Sequence, residues 1–362
     1  MSCVARRALI IASIAVGFIG CRDGTAPNEA LRPVVIRPSM KDTPGDPAPL
    51  VPYTVAPKTT DAAIDRALAP HYVWFDPAAR TNRRLLLFMP GANNQPASWQ
   101  LLGQEAARLG YHVIGLMYQN DAVVVQLCTG VNVDRACSEQ LRLEVLDGTD
   151  HSPIVDVKPW NSIDNRLTKL LVHLEEKFPE EEWSQFLEDG APDWRRIVVS
   201  GQSQGAGEAA LIAKLRRVDR VVMFSGPPDA RVAGEADSWV AIGETPAAKY
   251  FALFHDKDHT VAGIRVNLET LGLLRFGDAV KVEGNVPPYS DAHVLFTDLK
   301  PQKGCLMPNP HQSTARDDNT PLGPDGPQLR AAWRYLLGAH DDASTPVGGD
   351  VGVCETTLAS TQ

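Results

Sequence analysis

A glycine-flanked serine is the strongest chemical signal in this chain of 362 residues. The pentapeptide Gly201-Gln202-Ser203-Gln204-Gly205 lies between a short apolar run at 197–200 and a stretch with helical periodicity at 205–217. Gly-x-Ser-x-Gly between a strand and a helix predicts a tight turn that holds the serine hydroxyl clear of a sheet. The glycines let strand and helix approach without a Cβ clash, and the helix N-terminus adds a positive dipole end. The pattern indicates a nucleophilic Ser203; the alternative is a surface serine on an ordinary turn.

Apolar runs and amphipathic stretches alternate on both sides of this turn. Runs typical of strands lie at 71–75, 85–89, 113–117, 197–200, 220–224, 250–254 and 293–296. Helical periodicity is present at 96–110, 162–178 and 205–217, and a closing helix is expected at 327–337. Strands that alternate with helices predict an α/β fold with a mainly parallel central sheet and helices on both faces.

The motifs that follow two of the predicted strands are similar to those of a known superfamily. Residues 70–340 resemble an α/β-hydrolase. Met89-Pro90-Gly91 before a helix, with Ser203-Gln204-Gly205-Ala206-Gly207, resembles a poorly characterised bacterial branch of that superfamily, and this branch carries no substrate with it. The resemblance implies a triad in the chain order Ser, acid, His, with the acid after the sixth or seventh strand and the His after the eighth.

Three aspartates are candidates for the acid that this order requires. Asp258 fits the implied position best, because a short turn separates it from the strand at 250–254. Asp256 in the same turn is its rival, and Asp229 after the preceding strand is a third candidate. The alternative role for each of them is turn capping, which aspartate often performs.

The base that the resemblance implies is His311, in a proline-containing loop before the closing helix. His293 begins a strand and is expected to be structural. His255 and His259 flank the acid candidates but precede the last strand, so they are weaker candidates. The remaining histidines considered are expected at the surface or at a sheet edge: His71, His112, His173 and His340.

Attack on a carbonyl develops an oxyanion, which requires two preorganised N–H donors. One is expected from the backbone of Gln204, directly after the serine. The other is expected from the loop after the strand at 85–89, where we favour the N–H of Ala92, with Asn93 as its neighbour. This loop has Pro90-Gly91 where many lipases have His-Gly, and its alternative reading is a plain turn that ends in an N-cap asparagine.

A long stretch at 119–160 interrupts the alternation and is expected to line the pocket, because it leaves the sheet at the edge where ligands bind. Cys128 and Cys137 lie in it, nine positions apart. An even number of cysteines in an exported chain is typical of disulfides. We therefore expect the bonds Cys128–Cys137 and Cys305–Cys354, although four cysteines allow three pairings.

The N-terminus is typical of an export signal, because Arg6 and Arg7 precede an uncharged run at 8–20. The run closes with Phe18-Ile19-Gly20-Cys21, which resembles a bacterial lipobox and implies lipidation of Cys21 after removal of residues 1–20. An ordinary signal peptide is the alternative. Residues 21–57, rich in proline, are then expected to form a tether, followed by the hydrolase-like domain at 58–340 and a tail at 341–362.

Charge and spacing exclude several classes of function. The chain has 35 Lys and Arg against 44 Asp and Glu, a net charge of −9, and it has no basic run that would bind nucleic acid. We see no glycine-rich phosphate loop, dinucleotide fingerprint or closely spaced zinc ligands, so we expect neither a cofactor nor a metal.

Taken together, these expectations describe an exported serine hydrolase that is tethered to a cell-envelope membrane. Ser203, Asp258 and His311 would cleave a small or polymeric ester through an acyl-enzyme. An acyltransferase on the same scaffold is the first alternative, because its acceptor alone would differ. A surface lipoprotein that only binds its ligand is the second.

Overall fold

One central sheet of nine strands organises the residues that the computed structural model describes, which are 50–230, 232, 234–302 and 308–339. The strands are β1 (Tyr53–Val55), β2 (His71–Trp74), β3 (Leu85–Met89), β4 (His112–Gly115), β5 (Ile197–Gln202), β6 (Arg220–Phe224), β7 (Tyr250–His255), β8 (Val280–Lys281) and β9 (Val294–Thr297). Their order across the sheet is β1-β2-β4-β3-β5-β6-β7-β9-β8. The pairs β1–β2 and β2–β4 are antiparallel and the others are parallel, so β2 alone runs against the rest.

Helices cover both faces of this sheet. They are α1 (Pro57–Thr60), α2 (Gln100–Arg108), α3 (Val124–Leu127), α4 (Cys137–Asp147), α5 (Ile163–Lys177), α6 (Gln204–Leu215), α7 (Val261–Thr270) and α8 (Arg330–Leu336). Apolar side chains of α4, α5, α6 and α7 belong to one buried cluster, and those of α2 and α8 belong to a second. Two small antiparallel ribbons pair Leu187–Glu188 with Ala191–Pro192 and Leu322–Gly323 with Gly326–Pro327.

Strand β3 shows why the sheet is buried on both faces. All five of its residues are apolar and buried. Leu85, Leu87 and Met89 belong to one cluster, while Leu86 and Phe88 belong to the other, as the two-residue period of a strand requires. Full burial of such a side chain contributes about 1.5–3 kcal/mol, so the two cores together hold the sheet between the helix layers.

The strand order creates a crevice between β3 and β5. These strands are parallel neighbours. From β3 the chain continues to β4 on one side, and from β5 it continues to β6 on the other. Their carboxyl-end loops therefore diverge, and such a switch point is where open α/β sheets bind ligands. The loop after β3 contains Ala92, and the turn after β5 contains Ser203.

The structure confirms the α/β class and the mainly parallel sheet, and the predicted strands are present to within a few residues. One expected boundary differs. The predicted tether extended to residue 57, whereas β1 pairs with β2 as part of the sheet, so the folded domain begins before residue 58. The 119–160 stretch, for which no helices were predicted, contains two of them, α3 and α4.

Several expectations concern residues outside the described ranges. These are the signal at 1–20, the lipidation of Cys21, most of the tether, the pairing of Cys305 with Cys354, and the tail at 341–362. Within the described ranges, the helices are all too short or too polar to span a bilayer.

Candidate active site

The serine turn lies where β5 ends and α6 begins. Ser203 stands between them with φ 56° and ψ −119°, a conformation that is costly for any residue with a Cβ. Its N–H donates to the carbonyl of Phe224 at the end of β6, 2.9 Å away. The surrounding sheet therefore maintains a strained backbone at Ser203, as the glycine-flanked motif predicts.

The glycines on either side of Ser203 are required by close packing. A Cβ on Gly205 would overlap the carbonyl oxygen of Met89 in β3, and a Cβ on Gly201 would overlap the backbone of Gly205. Helix α6 thus begins in direct contact with the strands beneath it. This explains why the motif requires glycine at both flanks even though neither residue has a positive φ.

An aspartate and a histidine from two separate loops meet near this turn. Nδ1 of His311 lies 2.7 Å from Oδ2 of Asp258. A carboxylate can only accept, so Nδ1 is the donor in this contact, and in the neutral ring Nε2 is then the nitrogen that carries no proton. Thr260 donates to the other oxygen, Oδ1, from both its N–H and its hydroxyl, at 2.7 and 2.8 Å. Asp258 is therefore fixed in place and fixes the imidazole in turn.

Opposing effects set the ionisation of Asp258. Burial raises the pKa of its carboxyl. The hydrogen bond and charge of His311 and the two bonds from Thr260 together lower the pKa by more than burial raises it, so the net pKa lies below the usual range. Asp258 is consequently an anion across the neutral pH range, which is the state that orients a histidine base.

The structure places the other two acid candidates elsewhere. Asp256 is exposed and pairs with Arg265 on the surface at 2.8 Å. Asp229 is buried and bonds to Arg142. Of the three aspartates, Asp258 is the one that meets His311.

Side chains at the ends of β5 and β6 attach the His311 loop to the sheet. Gln202 directly precedes Ser203 in sequence, and its Nε2 donates to the carbonyl of His311 at 2.8 Å. The hydroxyls of Ser225 and Thr314 lie 2.9 Å apart. The His311 loop is thus anchored at the strand end that carries Ser203. Sequence reasoning did not single out Gln202, because the x positions of the motif have no fixed residue type.

The proposed oxyanion donors both lie at the β3–β5 crevice. Gln204 is the first residue of α6, so its N–H has no carbonyl partner within the helix. In the loop after β3, the N–H groups of Asn93 and Asn94 already donate to the carbonyls of Asn120 and Gly91, at 3.0 and 3.1 Å. Asn93 is therefore occupied, which favours Ala92 as the donor of this loop.

A buried arginine joins the 119–160 segment to the serine helix. Arg142 of α4 is fully buried and forms a two-pronged ion pair with Asp229, at 2.8 and 2.7 Å. It also donates to Glu208 of α6 at 2.6 Å and to the carbonyl of Gln204 at 2.9 Å. A Cβ on Gly207 would overlap the guanidinium, so the second glycine after the serine makes room for Arg142.

Burial and the neighbouring charges act in opposite directions on this network. Burial acts to lower the pKa of Arg142, but the charges of Asp229 and Glu208 outweigh it, so the pKa lies above its usual value. Burial raises the pKa of Glu208, and Arg142 opposes that shift. Sequence spacing does not reveal this cluster, since Arg142 lies 66 positions from Glu208 and 87 from Asp229, and charged residues are seldom fully buried.

One further contact holds the segment against the serine turn, and a disulfide links the two helices of the segment. The N–H of Val124 in α3 donates to Oε1 of Gln204 at 3.1 Å. Cys128 and Cys137 form the expected disulfide, with a Cα–Cα distance of 5.5 Å, and it joins the end of α3 to the start of α4. The segment is thus connected to the residue directly after the proposed nucleophile.

Several of the other histidines are buried. His293 stacks between Phe251 and Phe276, and its role is structural as expected. His71 and His112 were expected at the surface or a sheet edge, yet both are buried. Nδ1 of His71 accepts from the N–H of Met117 at 3.0 Å, and Nε2 of His112 donates to the carbonyl of Glu181 at 2.6 Å.

No protein-family model matches this sequence, and a search of curated proteins also finds no match.

Proposed function

We propose that this chain is a serine hydrolase that cleaves an ester-type carbonyl through an acyl-enzyme. The observation that carries the proposal is the 2.7 Å contact between Asp258 and His311. Gln202 binds the His311 loop at the strand end that precedes Ser203. The three residues have the types, and the chain order, of the triad that the resemblance implies. Their environment also supports the proposal, because Asp258 is anionic and Ser203 occupies a strained turn.

We further propose that the fold is that of the α/β-hydrolases. A mostly parallel sheet with helices on both faces supports this assignment. So does the position of each triad member: Ser203 lies between a strand and a helix, Asp258 follows the seventh strand along the chain, and His311 follows the last.

The chemistry follows from the tautomer of His311. Nε2 accepts the proton of Ser203 as Oγ forms a bond to the carbonyl carbon, and the carbonyl π pair moves to oxygen. The oxyanion then re-forms the carbonyl, the ester C–O bond breaks, and Nε2 gives its proton to the leaving alcohol. Water repeats the sequence on the acyl-enzyme and releases the acid. Asp258 stabilises the imidazolium in both halves, while the N–H groups of Gln204 and Ala92 stabilise each oxyanion.

The proposed substrate is a small or polymeric ester that enters the crevice between β3 and β5. Helices α3 and α4 flank this crevice through their contacts with Gln204 and Glu208, so we assign substrate selection to the 119–160 segment. The reaction requires no cofactor.

We also propose that the protein is exported and tethered by a lipid on Cys21. The Cys128–Cys137 disulfide supports export, because such bonds persist in oxidising compartments. Several acyl chains, at about 0.8 kcal/mol per buried CH₂, would anchor the chain firmly to a membrane.

The direct test is turnover of a p-nitrophenyl ester by the Ser203→Ala variant. We expect loss of turnover with a nearly unchanged Tm, because the substitution removes one hydroxyl and leaves the backbone in place. The matched control is Ser184→Ala, at an exposed serine of the same chain, which should retain full activity. Full activity in Ser203→Ala would overturn the proposal.

A further inference from the structure

A second imidazole lies on the solvent side of the Asp258–His311 pair. His259 follows Asp258 directly, and its side chain is 71% exposed. Its Nδ1 lies 3.6 Å from Oδ1 of Asp258, and its ring meets that of His311 edge-on, with centroids 5.0 Å apart. The reaction proposed above has no role for His259.

These three side chains present a metal-ligand set. One ligand atom from each lies within 4.8 Å of the other two, and in the described part of the chain they form the one group of three or more His, Cys, Asp or Glu with this property. Two imidazoles and a carboxylate are the donors of open zinc sites, which keep a fourth position for water or another ligand. The donor set carries one negative charge, which suits a divalent cation.

Little movement is needed to bind such an ion. Zinc binds nitrogen and oxygen at about 2.0–2.2 Å, so tetrahedral ligands stand roughly 3.3 Å apart. Asp258 is already fixed by Thr260, and His311 is already in contact with Asp258. The 2.7 Å contact between His311 and Asp258 must open by about 0.6 Å to admit the ion, and His259, whose side chain is exposed, must rotate toward the pair.

We propose that Asp258, His259 and His311 form an inhibitory site for a divalent transition-metal ion such as Zn²⁺. The ion takes the place of the proton between Nδ1 of His311 and Asp258, and that proton moves by way of solvent to Nε2 of the same ring. The neutral ring then carries its proton on Nε2 and cannot accept the proton of Ser203. The inhibitory effect rests on the proposed hydrolase function, whereas the binding of the ion does not.

The test is calorimetric titration of ZnCl₂ into the chelator-treated full chain. We compare the unmodified protein with His259→Gln and with His151→Gln. His151 is a matched control, because it also lies beside a carboxylate, at 3.2 Å from Asp147, but belongs to no such group of three. Loss of even an outer partner of a metal ligand typically costs 10–100-fold in affinity, so loss of His259 should weaken binding at least about tenfold. His151→Gln should leave the affinity unchanged.

Ester turnover provides the second readout. We expect Zn²⁺ to inhibit the unmodified protein and His151→Gln, while His259→Gln remains active and resists the metal. Equal zinc affinity in the unmodified protein and His259→Gln would overturn the site, as would the absence of binding. Zinc binding that depends on His259 in a protein without esterase activity would retain the site and reject the hydrolase proposal. Activity without such binding would do the reverse, and Ser203→Ala should bind zinc normally.

Discussion

Replacing Asp258 by asparagine tests the proposed triad at the residue for which the sequence offered three candidates. In the structure, Oδ2 of Asp258 accepts from Nδ1 of His311, while Oδ1 accepts two bonds from Thr260. Asparagine has the same shape but one of its groups is a donor. If its oxygen keeps the Thr260 bonds, its NH₂ group faces Nδ1, and the ring must move its proton to Nε2. His311 then cannot accept the proton of Ser203.

The expected loss of activity is large and the expected loss of stability is small. A histidine held in the wrong tautomer lowers kcat by about 10⁴, which is roughly 5.5 kcal/mol in activation free energy. A hydrogen bond to a charged group contributes about 1.5–3 kcal/mol to stability, so the fold should persist with a modestly lower Tm.

Asp256→Asn is the matched control, two residues away in the same turn. Its carboxylate pairs with Arg265 at the surface, and such exposed pairs contribute about 0–1 kcal/mol. We expect its kcat for a p-nitrophenyl ester to lie within about twofold of the unmodified protein. The triad assignment is refuted if Asp258→Asn keeps near-normal kcat, or if Asp256→Asn loses activity instead.

Three further predictions concern the framework of the site. Arg142→Met strands two buried carboxylates and should cost about 3–5 kcal/mol in urea unfolding; a cost below 1 kcal/mol would contradict the network. Replacing Cys128 and Cys137 by serine opens a loop closed by residues nine positions apart, and the lost loop entropy should lower the free energy of unfolding by about 2–3 kcal/mol in the same assay. An unchanged free energy of unfolding would reject that entropic contribution. Burial lowers the pKa of His71 to about 3, so the folded state binds fewer protons than the unfolded state, and stability falls as pH drops below 6.5. From His71 alone the loss should be about 2 kcal/mol between pH 8 and pH 5, and His71→Asn should reduce that slope; an equal slope in the variant would show that His71 is not its source.

Much of the fold was predictable because buried strands leave a simple pattern. A short continuous apolar run such as Leu85–Met89 is typical of a strand that is covered on both faces, and few other elements of that length have this pattern. The two-residue strand β8 carries too few residues for any pattern. Strand β1 lies in a proline-rich context, and its pairing with β2 is a tertiary event.

The site was predictable where the chemistry is local. The Gly-x-Ser-x-Gly motif predicts the geometry of its turn, because its glycines avoid Cβ clashes with the adjoining strand and helix. The choice between Asp258 and Asp256 was not local, because two residues of one turn differ only in which way they face. The sequence showed His259 next to Asp258, but its spacing did not indicate that the ring of His259 meets that of His311.

Buried polar groups were the least predictable feature. Helix α4 buries Ser138, Arg142 and Glu144 as well as apolar residues, so its pattern is not that of an amphipathic helix. His71 and His112 are buried for a similar reason: each finds a backbone partner far along the chain. Polar residues of this kind can be recognised as core residues only when their partners are known.

The most direct test of the account is covalent labelling of the folded chain with a fluorophosphonate, followed by mass spectrometric mapping of the modified peptide. The account predicts one adduct, on Ser203, and its loss in a chain unfolded by urea, because the free serine hydroxyl is a weak nucleophile. A folded protein that takes no label, or takes it at another residue, would contradict the assignment of Ser203 as the nucleophile.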